Sequence, residues 1–522
     1  ARAGRASRER SGPFDVVARS ERRGFIFAAS ACWCWCRRAL RETRVRFRLF
    51  LRRRHADASR RTERRQASSP LGRRSTTPDV LARHGKDESY HPSVPPDVVA
   101  FPKSTADVSA VARLCHDRRV PLVPFGVGTS LEGHIQHPYG GVSLDLGSLD
   151  QMVSEFPDDM DCRAQAGMTR SAVNAALRHT GLEFTVDPGA DATVGGMAAC
   201  GASGTTAVRY GTMRDAVLGL TVVLADGSVI ETGGRARKSS AGYDLTKLFV
   251  GSEGTLGIIT EVALRLHPQP TAVAAATARF DDLDDAVAAV HAILLHGIPV
   301  ARCELLDAPT LAAFNAYNKN DPAFRPQEVT PSLFLEFHGL SDAVLKEEAD
   351  LALEACVDAG GRDVAWASDE AERHKLWAAR HSTYYASCAL KRDGKAIVTD
   401  ACVPISKLAE VVRDTAADVE KMDVVGPIFG HAGDGNFHCI LVYNDDDPPE
   451  YLERLHDVSA RLIDRTLAAG GTCTGEHGVG SGKKKYVLRE RGAAGVAAMA
   501  AVKHALDPQG IMNPGKVFDA PS

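Results

Sequence analysis

Apolar residues recur along this chain with two different spacings, and the changes between them mark out its elements. Val108, Val111, Ala112 and Cys115 fall on one helical face, and Ser104 with Asp107 supplies a capping box at the start of that helix. A strand-like run from Val120 to Phe125 follows. Two β-rich runs, Thr221 to Leu224 and Val229 to Glu231, flank Asp226-Gly227 and predict a hairpin. Val262, Leu264 and Leu266 then alternate with Glu261, Ala263 and Arg265, the period of a strand. His267-Pro268-Gln269-Pro270 breaks the pattern and predicts a domain boundary. Beyond it, Leu283 to His296 reads as a helix closed by Gly297, and Ala301 to Leu306 and Leu333 to Phe337 read as strands. Lys375 to Ala389 is again helical and contains Arg380. Helices and strands in turn predict an antiparallel sheet with helices on one face. The turn-rich end, Asp507 to Lys516, is of a kind that docks onto another domain.

Between these elements lie glycine-rich loops. Gly126-Val127-Gly128-Thr129-Ser130-Leu131-Glu132-Gly133 follows a strand, where successive backbone N–H groups can surround an anion. It is not the dinucleotide fingerprint, because Leu131 takes the third glycine position; alone, it reads equally well as a tight turn. Asp187 to Met197, Cys200 to Gly204, Tyr210-Gly211 and Gly251 to Gly257 add glycine among small residues, which suits close approach of backbone to a large flat ligand.

Two further segments carry candidate chemistry. Gly430 to His438 holds His431 and His438 seven apart, and glycines at 430, 433 and 435 disfavour a helix there. A glycine loop running into a strand (Phe437, Ile440, Val442) is predicted instead, folding His431 back beside His438. Gly475-Glu476-His477-Gly478 adds a carboxylate and a third imidazole. A lone histidine pair would be read as ordinary polar residues in turns. With the second segment, two histidines and a carboxylate suit a divalent metal with open coordination positions.

The 522 residues are 44% hydrophobic and 25% charged, an ordinary soluble composition and long enough for two or more cores. Charge changes the picture at one end. Residues 1–78 hold 22 arginines against 6 acidic residues, a charge of +16, whereas the remainder has 41 basic and 60 acidic residues, or −19. This Arg-rich, acid-poor segment reads as a mitochondrial transit peptide or disordered targeting segment rather than part of the fold. A nucleic-acid arm ranks below it, because the acidic body offers no second basic surface. The apolar run Phe25 to Cys36 is too short to span a bilayer. Of 12 cysteines, three lie in the tail and the rest are scattered without a Cys-x-x-Cys pair, which indicates neither a zinc ribbon nor a disulfide framework. The ordered part is expected from near Asp79.

Taken in order, Pro124-Phe125-Gly126-Val127-Gly128-Thr129-Ser130, Asp187-Pro188-Gly189, Gly195-Gly196, Gly254-Thr255-Leu256-Gly257, the 430–438 and 475–478 segments and Asn513-Pro514-Gly515-Lys516 resemble the FAD-linked 2-hydroxy-acid dehydrogenases of the vanillyl-alcohol-oxidase type. The resemblance covers about Asp79 to Phe518. It implies an α+β chain with a PCMH-type FAD-binding domain of two α/β subdomains over residues 79–268. An α+β cap domain with an antiparallel sheet would occupy 269–522, and about 505–518 would return to the FAD domain.

By the same resemblance, FAD contacts come from Pro124, Phe125, Gly126, Val127, Gly128, Thr129 and Ser130 in the first loop, and from Pro188, Gly189, Thr193, Gly195, Gly196, Gly201, Ser203 and Gly204 in the second region. Glu253, Gly254, Gly257, Ile258, Ile259 and Asn513 complete them. Covalently flavinylated relatives carry a histidine where this chain has Thr129, so noncovalent FAD is implied. His431, His438 and Glu476 would hold a divalent ion (zinc, manganese or iron(II)) that lowers the pKa of the substrate hydroxyl. His477 would be the base and Arg380 the clamp for the substrate carboxylate; without the resemblance, Arg380 reads as a snorkelling surface arginine.

The implied reaction is oxidation of D-lactate, or another D-2-hydroxy monocarboxylic acid, to the 2-oxo acid in the mitochondrion, with hydride to flavin N5 and electrons on to cytochrome c. Sister enzymes acting on D-2-hydroxyglutarate carry, by resemblance, a lysine at the position of Thr399 and an asparagine at that of Ile440, which this chain lacks. The rival readings are a D-2-hydroxyglutarate dehydrogenase, a glycolate oxidase subunit, and a noncatalytic flavin subunit of an electron-transfer assembly. No nucleic acid and no transmembrane helix are expected, and a homodimer is allowed.

Overall fold

Residues 73–519 are described by a computed structural model, other than 321–323, 325, 368–372, 374–375, 378–379 and 381. The Arg-rich stretch up to residue 72, with its three cysteines, and part of the helical stretch expected from Lys375 lie outside the described residues.

The first sheet contains β1 (Arg73–Ser75), β2 (Val98–Phe101), β3 (Leu122–Phe125) and β4 (Val142–Asp145) in the order β1-β2-β4-β3. β2, β4 and β3 run parallel and are short apolar runs, as strands covered on both faces must be. β1 adds antiparallel to β2, so ordered structure starts before Asp79. The helix Thr105–Arg118 buries Val108, Val111, Ala112 and Cys115 as its spacing predicts, and Ser104 Oγ caps it by accepting from Asp107 N–H. The reciprocal half of the expected capping box is displaced by one residue: the Asp107 carboxylate accepts from Lys103 N–H.

The second sheet contains β5 (Met152–Phe156), β6 (Asp161–Gln165), β8 (Val217–Val223), β9 (Val229–Glu231) and β10 (Ile258–Arg265) in the order β5-β6-β10-β8-β9. The Asp226-Gly227 hairpin forms as predicted between β8 and β9. β10 lies between β6 and β8, so Ala263 is buried along with Val262 and Leu264, and the sequence alternation there is only partly an inside–outside pattern. β7 (Leu182–Glu183) pairs with β11 (His267–Pro268). That small ladder ties residues 267–268 to the first half just before the chain leaves it.

The third sheet is antiparallel throughout. Among the described residues it has eight strands: β12 (Ala272–Arg279), β13 (Val300–Leu306), β14 (Ser332–Gly339), β15 (Arg362–Ala367), β16 (Lys395–Val398), β17 (Ala401–Cys402), β18 (Ile428–His431) and β19 (Asn436–Tyr443). Their order is β15-β12-β14-β13-β18-β19-β16, with β17 also on β19. Strand alternation sorts the two faces. Cys303, Leu305, Leu333, Leu335, Phe437, Cys439 and Leu441 enter a core with residues of the helices Leu283–Leu295, Asp342–Asp358, Ile405–Lys421 and Pro449–Ala468. Leu306, Phe334, Phe429, Ile440 and Val442 pack on the opposite face. The C-terminal tail returns to the first sheet: Leu122 N–H donates to Ile511 O, Asn513 N–H donates to Leu122 O, and Ile511 and Met512 are fully buried there.

Candidate active site

A cavity of about 420 Å³ runs from the glycine loops to the face of the third sheet opposite those four helices. Residues 124–130, Pro188, Gly189, Thr193, Gly195, Gly196, Ser203, Glu253, Gly254, Gly257, Ile259 and Asn513 line one end; Arg380, His431, His438, Glu476 and His477 line the other. Three expected contacts do not line it. Ile258 is fully buried in the core beneath the first sheet, because β10 alternates and gives the cavity Ile259 instead. Gly204 packs against the Asp187 backbone, where a Cβ would come within 2.4 Å of it. Gly201 ends the helix Val194–Cys200 in a left-handed conformation, φ 69°.

The glycine end fits a flavin dinucleotide. The backbone N–H groups of Gly126 to Ser130 make no hydrogen bond to another described residue and line the cavity, a run of donors open to an anion such as a pyrophosphate. Several of the glycines serve the protein's own packing: a Cβ at Gly126 would lie 2.5 Å from Thr193 Oγ1, and one at Gly254 would lie 2.4 Å from Pro124 Cγ. Gly189 has no neighbour within 4 Å of such a Cβ and leaves open space beside the loops.

The other end follows from strand alternation. Glu304 of β13, Phe429 and His431 of β18, and His438 and Ile440 of β19 all fall on the face opposite the helices. His431 closes β18, one strand of a hairpin, rather than lying in the predicted loop. The short 3-10 turn Ala432–Asp434 and left-handed Gly435 (φ 73°) bring His438 back beside it, with ring centroids 5.6 Å apart. Glu476 Oε1 lies 3.2 Å from His431 Nε2 and 3.3 Å from His438 Nε2. Two imidazole nitrogens and a carboxylate oxygen thus converge on one point, a donor set that could hold a divalent ion.

A second convergent group, Asp400, His438 and His477, is less suited to that role. The Asp400 oxygens already accept from Asn436 Nδ2, Thr474 Oγ1, Glu476 N–H and His477 N–H.

Charge is distributed accordingly. Burial opposes ionisation of Glu476, but His431 and His438 beside it hold its carboxyl well below the usual range. Burial likewise opposes a charged His431, and Glu304 and Glu476 outweigh it, so its pKa lies well above the ordinary value. His477 behaves oppositely: burial pushes it down to about 4. Its ring stacks on His438 at 4.9 Å and 9°, and its Nδ1 is buried with no hydrogen-bond partner. Arg380 is a buried residue, not a surface one; its Nε donates to Glu304 Oε2 at 2.6 Å and its guanidinium lies over the Phe429 ring.

One expected pocket position shifts by a residue. The Thr399 hydroxyl accepts from Cys439 N–H and does not line the cavity; Val398, the cross-strand partner of Ile440, does.

Comparison with known proteins agrees with this architecture. Residues 96–233 match the FAD binding domain family, and residues 269–517 match the C-terminal domain of FAD linked oxidases. A protein of Danio rerio named as a probable mitochondrial D-lactate dehydrogenase is 49% identical over 443 residues, 84% of this chain and 88% of its own. The chain belongs to the FAD-linked oxidase family. A mitochondrial D-lactate dehydrogenase (cytochrome) of Arabidopsis thaliana is 39% identical over 437 residues, 83% of this chain and 76% of its own. The solved structure of p-cresol methylhydroxylase with substrate bound has a TM-score of 0.67 at 17% identity, over 85% of this chain and 94% of that one. The PCMH-type α+β fold expected from the motifs is therefore the fold of this FAD-linked oxidase, and FAD is its cofactor.

Two buried acids of this FAD-linked oxidase escaped the reading of its sequence. Glu304, with no exposure, accepts from Arg380 and lies 2.7 Å from His431 Nδ1. Asp400 holds the backbone of Glu476 and His477. Neither sits in a glycine-flanked motif. The one available signal was a lone acid in or beside a strand-like run, Glu304 between Cys303 and Leu305-Leu306 and Asp400 after Ala396 to Thr399.

Proposed function

We propose that this FAD-linked oxidase converts D-lactate to pyruvate, with a divalent ion held by His431, His438 and Glu476. The observation that carries the reading is the meeting of both Nε2 atoms on Glu476 Oε1, at 3.2 and 3.3 Å, in the wall of the cavity that begins at the glycine loops. The relatives named D-lactate dehydrogenase supply the substrate class, and their mitochondrial names agree with an Arg-rich leader.

When bound, FAD supplies a hydride acceptor and the divalent ion a Lewis acid for the substrate hydroxyl. Glu304 keeps Arg380 and His431 in place, so that Arg380 orients the substrate carboxylate from the cavity wall. His477 is neutral at physiological pH, because burial pushes it down to about 4, and it takes the hydroxyl proton. The Cα hydride would carry both electrons to the flavin and the hydroxyl proton would leave separately to His477, which balances lactate against pyruvate. Val398, Phe429 and Ile440 form an apolar wall, which suits a monocarboxylic acid with a small or apolar tail and offers no cation to a second carboxylate.

The remaining assignments belong to the same reading. The FAD-binding domain takes in β1 at Arg73–Ser75 and runs to residue 268, and the cap follows from 269, with about 505–518 returning to the former. FAD is held noncovalently, since Thr129 offers no attachment atom of the kind a histidine provides. Electrons pass to cytochrome c, as the name of the Arabidopsis relative suggests.

Anaerobic mixing with D-lactate and L-lactate tests the proposal. Flavin absorbance should bleach with the D acid only, stop bleaching after chelation and recover with added metal. Bleaching that survives complete metal removal would rule out the ligand set, and bleaching by L-lactate would rule out the stereochemistry. After acid precipitation, the flavin should appear in the supernatant.

A further inference from the structure

Glu476 and His477 sit on a segment, Gly475 to Lys483, that belongs to no helix or strand. Its backbone is held from two sides. Asp400, from the third-sheet half, accepts from Glu476 N–H and His477 N–H at 2.9 Å each. Glu253, from the glycine-loop half and 226 residues away from Val479, accepts from Val479 N–H on Oε1 at 2.6 Å and from Gly480 N–H on Oε2 at 2.8 Å. The contact is close: a Cβ on Gly478 would lie 2.9 Å from Glu253 Oε1 and 2.7 Å from His134 Nε2.

Glu253 is held for this task at a cost in backbone conformation. Its φ is 53°, a left-handed value unusual for a residue with a side chain. Its N–H donates to Ala199 O, and its carbonyl accepts from Asn513 Nδ2. The helix Val194–Cys200 and the C-terminal tail therefore aim this carboxylate at the segment beyond Gly478. Strain kept in place by its surroundings points to a role for the residue that is strained.

We propose that Glu253 is a positioning residue for the metal end of the cavity: the FAD-binding half sets the place of Glu476 through Val479 and Gly480. Affinity for a divalent cation then depends on a carboxylate that ligates nothing. This inference rests on the His431, His438 and Glu476 ligand set.

The test uses the full chain loaded with FAD, stripped of metal and titrated with Co²⁺, reading both the dissociation constant and the cobalt bands beyond the flavin absorbance. Glu253→Gln keeps one acceptor and turns the other into a donor facing a donor. Read on the flavin-loaded fraction of the variant, Co²⁺ binding should weaken at least tenfold and the bands should shift. Glu253→Asp keeps the charge but is one methylene short, tolerates φ > 0 better than Glu, and should lose less; it serves where the glutamine variant does not fold. Wild-type affinity and bands in the folded variants would overturn the inference. So would loss of flavin with cobalt binding intact, which would leave Glu253 a cofactor contact only. A parent chain that takes up no Co²⁺ would sink the ligand set itself and this inference with it.

Discussion

Glu304 Oε1 lies 2.7 Å from His431 Nδ1, on a carboxylate wholly closed to solvent. Its other oxygen takes Arg380 Nε, so one buried acid joins a candidate metal ligand to the candidate substrate clamp. Glutamine there can satisfy one of the two partners but not both. Glu304→Gln should weaken divalent-metal affinity by about tenfold to a hundredfold and raise the KM for D-lactate as well. Calorimetric metal titration beside steady-state kinetics checks both effects, and a change in neither would remove Glu304 from the site.

His477 stacks on His438 without joining the convergence on Glu476 Oε1, from which its Nε2 stands 3.7 Å away. As a base rather than a ligand, it should be separable from metal binding. His477→Gln should lower the rate of flavin reduction by about 10² to 10⁴ while metal content stays at the parent level. Loss of the metal in this variant would make His477 a ligand instead.

His137 buries both ring nitrogens without a hydrogen-bond partner, and burial first, then nearby Lys516, push its pKa down to about 3. In the unfolded chain it titrates near its ordinary value of about 6.5. Between those values the unfolded state binds the extra proton, so this group costs stability as pH falls through that window. From pH 6.5 to 4.5 the loss attributable to it is about 2 to 3 kcal/mol. Urea unfolding at the two pH values should show a shallower decline for His137→Leu than for the parent; parallel declines would contradict the assignment.

Val398 and Ile440 are cross-strand partners on the cavity wall. A cation introduced there would face a substrate's distal carboxylate. Val398→Lys should raise the kcat/KM ratio of D-2-hydroxyglutarate over D-lactate by about tenfold or more, given that charge-assisted hydrogen bonds contribute about 1.5 to 3 kcal/mol. Parallel assays on the two acids decide it, and an unchanged ratio would show that the substrate tail points elsewhere.

Much of this site was legible in the sequence because glycine advertises it. The 126–130 loop, the 430–438 hairpin and the 475–478 turn each need close packing or left-handed backbone that glycine supplies, and each carries its chemistry within the motif. Glu304 was not legible, because its partner His431 is 127 residues away and nothing near it in the chain announces the pairing. Val398 was mistaken for Thr399 because a strand turns alternate side chains to opposite faces, so an error of one residue exchanges the cavity for the core. The strand containing Val262, Ala263 and Leu264 misled in a milder way: its alternation is real, but neighbours on both edges and cover on both faces leave little of it exposed.

The bridge between Leu122 and Met512 has a consequence for biogenesis. Synthesis delivers the first sheet early, yet Ile511, Met512 and the Asn513 amide that reaches His134 O and Glu253 O come from the last few residues of the described chain. A nascent polypeptide still lacking them has the glycine loops but not the segment that fastens them together. Cofactor capture should therefore wait until residues 511–513 have been made, and a chain cut before them should emerge as an apoprotein however well its earlier strands have formed.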